Sequence, residues 1–257
     1  MLIYERERDF VMVEQNKHAI LSGALFSNWS EAYLVGKQRK SDVLFAIEYH
    51  DRAWITLDAT PLWNDGQDAP YSFIDLPSLL KLPHYQQGVD WVECQNKYAA
   101  LLCSMHYAAF FNGAKEDDEQ AYHRFELERQ HRLRVEIGDV SDEESRVHFA
   151  ILKFLDKLSI YICINEPGVS KAREFAWYRD GFDGTEAFLH ANGGGIVAHW
   201  LDEKYVGLTQ FPFAQKFEVS VPTKIVSKHA IEEQGIARAY RDTVSTIRTV
   251  EVGPMPV

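Results

Sequence analysis

Five side chains of the sequence have the chemistry of metal ligands. They are His18, the adjacent pair His50-Asp51, His106 and Asp156. Neutral imidazole nitrogen and carboxylate oxygen both bind borderline and hard divalent cations, and imidazole also exchanges protons near neutral pH. These residue types indicate a metal centre, provided that the fold brings them together.

The pair His50-Asp51 lies near the end of an apolar segment with helical spacing, residues 41–54. His50 shares a helical face with Val43 and Ile47, so its imidazole is expected to point toward the core. A buried imidazole beside a carboxylate needs a partner, and a metal ion is one candidate. The alternative is a hydrogen-bonded His-Asp pair that caps the end of the helix.

Two further histidines lie in segments with helical periodicity. Residues 15–29 predict a helix on which His18 shares a face with Leu25, and residues 89–111 predict one long helix with His106 on its apolar stripe. Taken alone, His18 is also explained as a core histidine whose hydrogen bonds are satisfied.

Asp156 lies within the last long helical pattern. The sequence Ser141-Asp142-Glu143-Glu144 has the form of a capping box and predicts a helix that starts there and ends near Pro167. A carboxylate in the middle of such an apolar helix is costly to bury unless it is paired or bound to a metal. The alternative is an exposed Asp156 on the outer face, beside Lys153 and Lys157.

The remaining segments predict an α+β fold. Residues 2–4 and 10–13 read as two short strands around a charged turn, and the stretch from residue 167 onward contains a hairpin and an alternating strand, KFEVSVPTKIV. We therefore expect a mainly helical bundle with a short N-terminal hairpin over residues 1–166. A smaller β-rich region over residues 167–257 is expected to pack on it.

Residues 55–88 are rich in Pro, Gly, Asp and aromatic residues, which predicts an ordered loop. Long ordered loops form pocket walls beside many binding sites. The aromatic residues Trp54, Trp63, Tyr71 and Phe73 are candidates for lining such a pocket, with core packing as the alternative for each.

Three segments have less regular patterns. The charged stretch 113–140 predicts a solvated helix, residues 229–250 a short helix or an irregular tail, and residues 252–257 a frayed end. Gly193-Gly194-Gly195 lacks the sequence context of a phosphate-binding loop, and we interpret it as a turn.

Composition narrows the classes of partner. The formal net charge of -11 argues against a nucleic-acid-binding surface. Cys94, Cys103 and Cys163 form no CxxC pair, which fits a reducing compartment. No signal peptide or membrane span is evident. We expect a cytoplasmic protein with a small-molecule substrate and neither a nucleic-acid nor a membrane partner, and a homo-oligomer stays open.

The order His, His-Asp, Asp, with an additional His before the last Asp, resembles the metal motif of the HD-domain superfamily of helical phosphohydrolases. The resemblance covers residues 15–165 and implies that residues 1–166 form an HD-like metal-binding domain. It implies that His106 binds a second ion or the phosphate of the substrate. It also implies that the metal ligands are His18, His50, Asp51 and Asp156.

His84 precedes His106 by 22 residues, and in this respect the chain is similar to di-iron members of the superfamily. His84 would then complete a second metal site. Two features depart from the phosphohydrolase pattern: the only basic residues suited to gripping a polyphosphate are Lys17, Arg52 and Lys157, and the aromatic loop is unusual for nucleotide phosphohydrolases.

Longer stretches of the chain are similar to an uncharacterised bacterial family of about this length. They include EQNKHAILSGAL, AIEYHDRAWITLDATPLWNDG and FLDKLSIYICINEP. This resemblance spans most of the chain, including its C-terminal strands, and it implies a family without implying an activity.

Together these features predict a metal-dependent hydrolase of a small phosphorylated metabolite or nucleotide, acting through a metal-activated water. One or two divalent ions (Fe, Mn, Ni, Zn or Mg) are expected, with Asp51 orienting the water and His106 donating a proton. Metal affinity should fall below about pH 6, where histidines become protonated. The alternatives are a di-iron oxygenase of the HD type and a non-catalytic ligand-binding or regulatory module.

Overall fold

The computed structural model describes residues 1–189 and 195–256, and it has the expected α+β architecture, mainly helical with a β-rich C-terminal part. The helices are α1 Gln15–Ser27, α2 Lys40–Tyr49, α3 Ile55–Asp58, α4 Ser78–Gln95, α5 Lys97–Ala109, α6 Asp117–Ile137, α7 Asp142–Ile164, α8 Lys228–Gln234 and α9 Ile236–Asp242. The strands are β1 Leu2–Glu5, β2 Asp9–Val13, β3 Trp63–Asn64, β4 Ala69–Pro70, β5 Ala198–Trp200, β6 Tyr205–Leu208, β7 Phe217–Ser227 and β8 Thr246–Pro254.

One six-stranded sheet joins the two ends of the chain. Its order is β1-β2-β7-β8-β6-β5, and every pairing is antiparallel except that of β6 with β8. The predicted N-terminal hairpin is present, and it adds to the sheet through β2, where Phe10 pairs with Val226. The N-terminal hairpin and the C-terminal strands therefore share one hydrogen-bonded layer.

Helices α1, α2, α5 and α7 pack against one another. The helices α1, α5 and α7 carry His18, His106 and Asp156, and the pair His50-Asp51 directly follows α2. α1 starts two residues after β2 and lies against β7, so the sheet fixes the position of the bundle. α7 begins at the predicted capping box, where the Ser141 hydroxyl accepts a hydrogen bond from the Glu144 amide at 2.9 Å. Most of its apolar residues between Val147 and Ile164 are buried, which makes α7 the central helix of the core.

The helix predicted over residues 89–111 is two helices, and the predicted loop before it is partly helical. α4 already starts at Ser78 and ends at Gln95, and α5 follows after a break at Asn96. Asn96 has an extended backbone, and its side chain accepts a hydrogen bond from the Ala99 amide at 2.9 Å, as an N-cap residue does. An internal cap therefore overrides the continuous apolar pattern, and His84 lies on a helix.

The C-terminal tail is more ordered than the sequence pattern suggests. Residues 228–242 form α8 and α9, and Val252 to Pro254 belong to β8 instead of a frayed end. β8 lies between β7 and β6, and this long-range pairing is not encoded in the local sequence. Gly193 and Gly194 of the predicted glycine turn lie outside the described residues.

α2 ends one residue before the His-Asp pair. His50 is its C-cap residue, and the chain continues as a short 3-10 turn at Arg52–Trp54.

In the described part of the chain, no helix combines the length and apolar character needed to cross a bilayer.

Candidate metal centre

The structure brings all five candidate ligands to one buried cluster. None of the five residues is more than 8% exposed: His18, His50, Asp51, His106 and Asp156. His18 Nε2 lies 2.8 Å from Asp51 Oδ2, and His50 Nε2 lies 3.3 Å from Asp156 Oδ1. The rings of His50 and His106 are 4.9 Å apart, centre to centre. Asp156 is therefore buried rather than exposed on the outer face.

His50 is common to two possible ligand sets. One set is His18, His50 and Asp51, the other is His50, His106 and Asp156, and within each set the ligand atoms lie within 4.8 Å of one another. Ligands held at about 2.1 Å from an ion are separated by roughly 3 to 4 Å, so these sets need only small side-chain adjustments to close on a cation. These buried groups could hold a metal ion. Both sets use the single Nε2 lone pair of His50, so His50 can bind only one ion at a time.

The position of the proton on His50 follows from its backbone partner. His50 Nδ1 lies 2.7 Å from the carbonyl oxygen of Ile47, near the end of α2. Because a carbonyl oxygen only accepts, Nδ1 carries a proton and donates it. When His50 is neutral, its Nε2 lone pair therefore faces the carboxylates of Asp51 and Asp156, which is the arrangement that a histidine ligand requires.

His18 is oriented by hydroxyl groups on neighbouring helices. Ser159 Oγ donates to the Asp156 carbonyl oxygen at 2.8 Å and accepts a hydrogen bond from Ser22 Oγ at 2.8 Å. With its one proton used, Ser159 Oγ accepts a hydrogen bond from His18 Nδ1, also at 2.8 Å. His18 thus presents Nε2 to the cluster, as His50 does.

Asp51 has one oxygen held in place and one directed into the cluster. The Tyr107 hydroxyl donates to Asp51 Oδ1 at 3.2 Å, while Asp51 Oδ2 faces His18. Burial raises the pKa of Asp51, but the histidines outweigh burial, His50 most strongly, and hold that pKa below its usual range. Burial likewise raises the pKa of Asp156, and the hydrogen bond and charge of His50 lower it overall. Both carboxylates are therefore ionised.

The histidines respond differently to burial. Burial lowers the pKa of His50, but the charges of Asp51 and Asp156 outweigh it and raise the pKa to about 9. Burial lowers the pKa of His106 to about 4, because the attraction of Asp156 does not compensate for lost hydration. At neutral pH the metal-free cluster holds a charged His50 and a neutral His106.

The His106 side chain forms no hydrogen bond with any residue in the described part of the chain, although only 3% of the residue is exposed. Its ring contacts are with His50, Tyr107 and Phe110. An incoming ligand would displace no hydrogen bond from its ring nitrogens, so they can bind one. The donor set of three imidazoles and two carboxylates fits a divalent metal.

A cavity of about 760 Å³ opens onto the cluster, and Asp51, His106 and Asp156 form part of its wall. Trp54 and Phe73, two of the predicted pocket aromatics, also line it. A cavity of this size accommodates a small organic molecule in contact with the ligand residues.

Other predicted residues lie elsewhere. Trp63 packs edge-on against Phe10 and lines a separate cavity of about 850 Å³, and Tyr71 lines another small cavity. Neither residue lines the cavity beside the cluster. His84 lies outside both ligand sets and forms a hydrogen bond with the Thr56 hydroxyl at 2.9 Å. Arg52 stacks on the Trp91 ring, with its guanidinium carbon 3.6 Å from the ring centre.

Sequence patterns missed the residues that support the ligands. Ser159 and Tyr107 act through hydrogen bonds across helices, and Lys81 and Gln15 reach the cavity from α4 and α1. Tyr107 follows His106 directly and Ser159 lies one turn after Asp156, which are the only signals that the sequence offers. Both signals become meaningful only once the helix packing is known.

Comparison with known proteins identifies a family. No curated protein and no solved structure matches this chain. A family model with the description "Protein of unknown function (DUF3891)" matches residues 1–228, which include every residue of the cluster. The expected uncharacterised family is thereby confirmed, while the resemblance to the HD-domain superfamily stays a prediction. Because the match covers most of the sequence, the chain belongs to the DUF3891 family.

Proposed function

We propose that the protein is a metal-dependent hydrolase of a small phosphorylated compound. One observation carries the proposal: ionised carboxylates and a hydrogen-bond-free, neutral His106 meet at the wall of a cavity large enough for a small organic molecule. A site of this composition combines metal ligands with a place for a substrate.

The ligand chemistry favours a transition metal. His18 and His50 would bind through Nε2, while Asp51 and Asp156 would bind through carboxylate oxygens. Imidazole suits Fe, Ni or Zn, whereas Mg²⁺ prefers an all-oxygen site. A bound ion would lower the pKa of a coordinated water and polarise a substrate oxygen.

Two residues of the chain have roles in handling the substrate. Asp51, held through Oδ1 by Tyr107, can orient a water molecule at its other oxygen. His106 is neutral at pH 7 because of its pKa of about 4, so it can bind a phosphate oxygen through N–H or bind an ion through its lone pair. A pKa this low favours these roles over proton donation.

The Cys residues support the expected location. Cys103 and Cys163 are buried thiols without a disulfide partner, and Cys94 is an exposed free thiol. Free thiols persist in reducing compartments, which agrees with a proposed cytoplasmic location.

A release assay tests the hydrolase. The metal-loaded protein would be incubated with phosphomonoesters, phosphodiesters and nucleotides, and inorganic phosphate or the released alcohol would be measured. We expect metal-dependent release by the wild type and by the control His84→Gln, and a loss of at least 100-fold in Asp51→Asn and His106→Gln. Metal-loaded protein that hydrolyses none of these classes would refute the proposal.

A di-iron oxygenase is the second candidate. The three imidazoles and two carboxylates of the two sets favour it, because they offer enough ligands for two ions, with His50 bound to one of them. His84 contributes to neither set, so this version uses His106 and Asp156 instead. Oxygen uptake by the iron-loaded protein, measured with an electrode, would support the oxygenase. Phosphate release in the absence of oxygen would exclude an oxygen requirement.

A further inference from the structure

Lys81 is a cation at the cavity wall, and no described carboxylate lies within ion-pair distance of it. The charges of Glu119 and Asp75 act on it from farther away. Lys81 lies on α4, is half-buried and lines the same cavity as His106 and Asp51. Its ammonium donates one long hydrogen bond, to the Phe73 carbonyl oxygen at 3.4 Å, and it forms no ion pair with any described residue. A partly buried ammonium that lacks a carboxylate can bind an anionic ligand.

The other positive charge of the cavity is already neutralised. Lys157 also lines the wall, but it forms an ion pair with Asp183. The nearby Glu119 accepts a hydrogen bond from the Ser78 hydroxyl at 2.6 Å and is not ion-paired with Lys81. Because the chain carries a net charge of -11, the unpaired Lys81 does not reflect a general excess of cations.

Aromatic rings shape the rest of the cavity. Trp54, Phe73 and Tyr85 line it, and Phe110 and Trp177 lie at its wall with 57% and 56% of their surface exposed. Exposed aromatic residues beside a cavity favour stacking with a planar, apolar group. These rings could hold the organic part of a ligand.

Gln15 adds a requirement for a hydrogen-bond donor. It lines the cavity, is only 3% exposed, and its side-chain oxygen has no hydrogen-bond partner among the described residues. A buried amide oxygen without a partner is costly. An N–H or O–H group of a ligand would satisfy it.

We infer that Lys81 binds the phosphate of the substrate, and that the substrate class is an organic compound with a single phosphate group and a planar ring. A single unpaired ammonium, acting together with the metal centre, suits one phosphate group rather than a polyphosphate chain. The ring would stack in the aromatic part of the cavity, and a donor group on it would reach Gln15. The inference rests on the proposed function and names its substrate class.

Calorimetry with phenylphosphonate tests this assignment, because the C–P bond of this probe resists hydrolysis. Binding to the metal-loaded protein would be compared for the wild type, Lys81→Met, Lys81→Arg and the surface control Lys204→Met. We expect Lys81→Met to weaken binding about ten-fold, as expected for losing a charge-assisted hydrogen bond. Lys81→Arg should retain most of the affinity, and Lys204→Met all of it. Phenylphosphonate should also bind more tightly than methylphosphonate.

Metal content measured on the same samples separates the two proposals. Unchanged phenylphosphonate affinity in Lys81→Met, with metal retained, would overturn the role of Lys81 and leave the hydrolase proposal standing. Equal affinities for phenylphosphonate and methylphosphonate would overturn the role of the ring. If no sample retains metal, the hydrolase proposal fails, whereas phosphonate binding that depends on Lys81 would still support the anion site.

Discussion

His50 Nδ1 donates its proton to the carbonyl oxygen of Ile47 at 2.7 Å, and this contact leaves Nε2 as the atom that faces Asp156. The last turn of α2 therefore determines which nitrogen is available to a metal ion. A backbone carbonyl holds a side chain more rigidly than a mobile side chain does, so this contact fixes the orientation of the His50 ring.

The pH dependence of metal affinity follows from the same residue. The carboxylates raise the pKa of His50 to about 9 against the effect of burial, so below this pH an ion must displace a proton from it. We expect apparent affinity for Zn²⁺ or Co²⁺ to rise about ten-fold per pH unit from pH 7 to pH 9. This range lies above the pH 6 expected from an unperturbed histidine. Titrations with a competing chelator would measure it, and an affinity that is constant above pH 7 would disprove it.

Ser159 is predicted to position His18. Replacing Ser159 by Ala removes the acceptor that holds His18 Nδ1, and we expect metal affinity to fall about 10- to 100-fold. Ser104→Ala is the matched control, since Ser104 is a buried serine whose hydroxyl bonds to the Glu126 carbonyl oxygen outside the cluster. Both variants should lose about 1 kcal/mol of unfolding free energy. An equal loss of metal affinity in both variants would show that the effect is only structural.

Metal binding should stabilise the fold. A ligand present at 100 times its Kd adds about 2.7 kcal/mol to the free energy of unfolding when it binds only the native state. We expect metal to raise the Tm of the wild type and of His84→Gln, and to raise it less in His106→Gln, which loses one ligand. Thermal unfolding with metal and with a chelator measures this difference. The same shift in His84→Gln and His106→Gln would contradict a role for His106 in binding.

His148 is predicted to make stability depend on pH independently of the metal. Burial lowers its pKa from 6.5, while its Nε2 donates to the Val35 carbonyl oxygen and its Nδ1 accepts from the Tyr98 hydroxyl. The unfolded chain therefore binds a proton on His148 more readily than the folded protein does. The contribution of neutral His148 to the free energy of unfolding is present above pH 6.5 and is lost as the pH falls below 6.5. In the presence of a chelator, the free energy of unfolding of His148→Gln should therefore decrease less than that of the wild type when the pH falls from 7 to 5.

The exposed His131→Gln is the control for this measurement. It should follow the wild-type pH dependence in urea titrations at each pH, because its side chain is exposed and lies outside the contacts of His148. If the free energy of unfolding of His148→Gln changed with pH as steeply as that of the wild type, other groups would be the cause of the pH dependence.

The sequence predicted the burial of three candidate ligands, because each of them interrupts an apolar helical pattern. His18, His106 and Asp156 occupy core-facing positions where hydrophobic residues are expected, and the structure buries all three. Their convergence depends on how α1, α2, α5 and α7 pack, and local periodicity carries no information about that packing.

Features that depend on tertiary contacts were not predictable. Asn96 divides the helix predicted over residues 89–111 through a local cap, and β8 is recruited by strands distant in sequence. The residues next to Lys81 in the sequence do not indicate its proposed role. That role depends on the absence of an ion-pair partner among the described residues, which only the structure shows. The hydrogen-bond and ion-pair partners of a side chain can be identified only from coordinates, whereas the burial of a polar residue can be predicted from helical periodicity.

Elemental analysis of the protein purified without chelator tests the metal centre most directly. His50 belongs to both ligand sets, so His50→Gln should abolish binding at either one, while the buried control His148→Gln should retain the metal. We predict about one or two transition-metal ions per chain in the wild type and in His148→Gln, and almost none in folded His50→Gln. Wild-type metal content in His50→Gln, or no metal in the wild type even after reconstitution, would contradict the account.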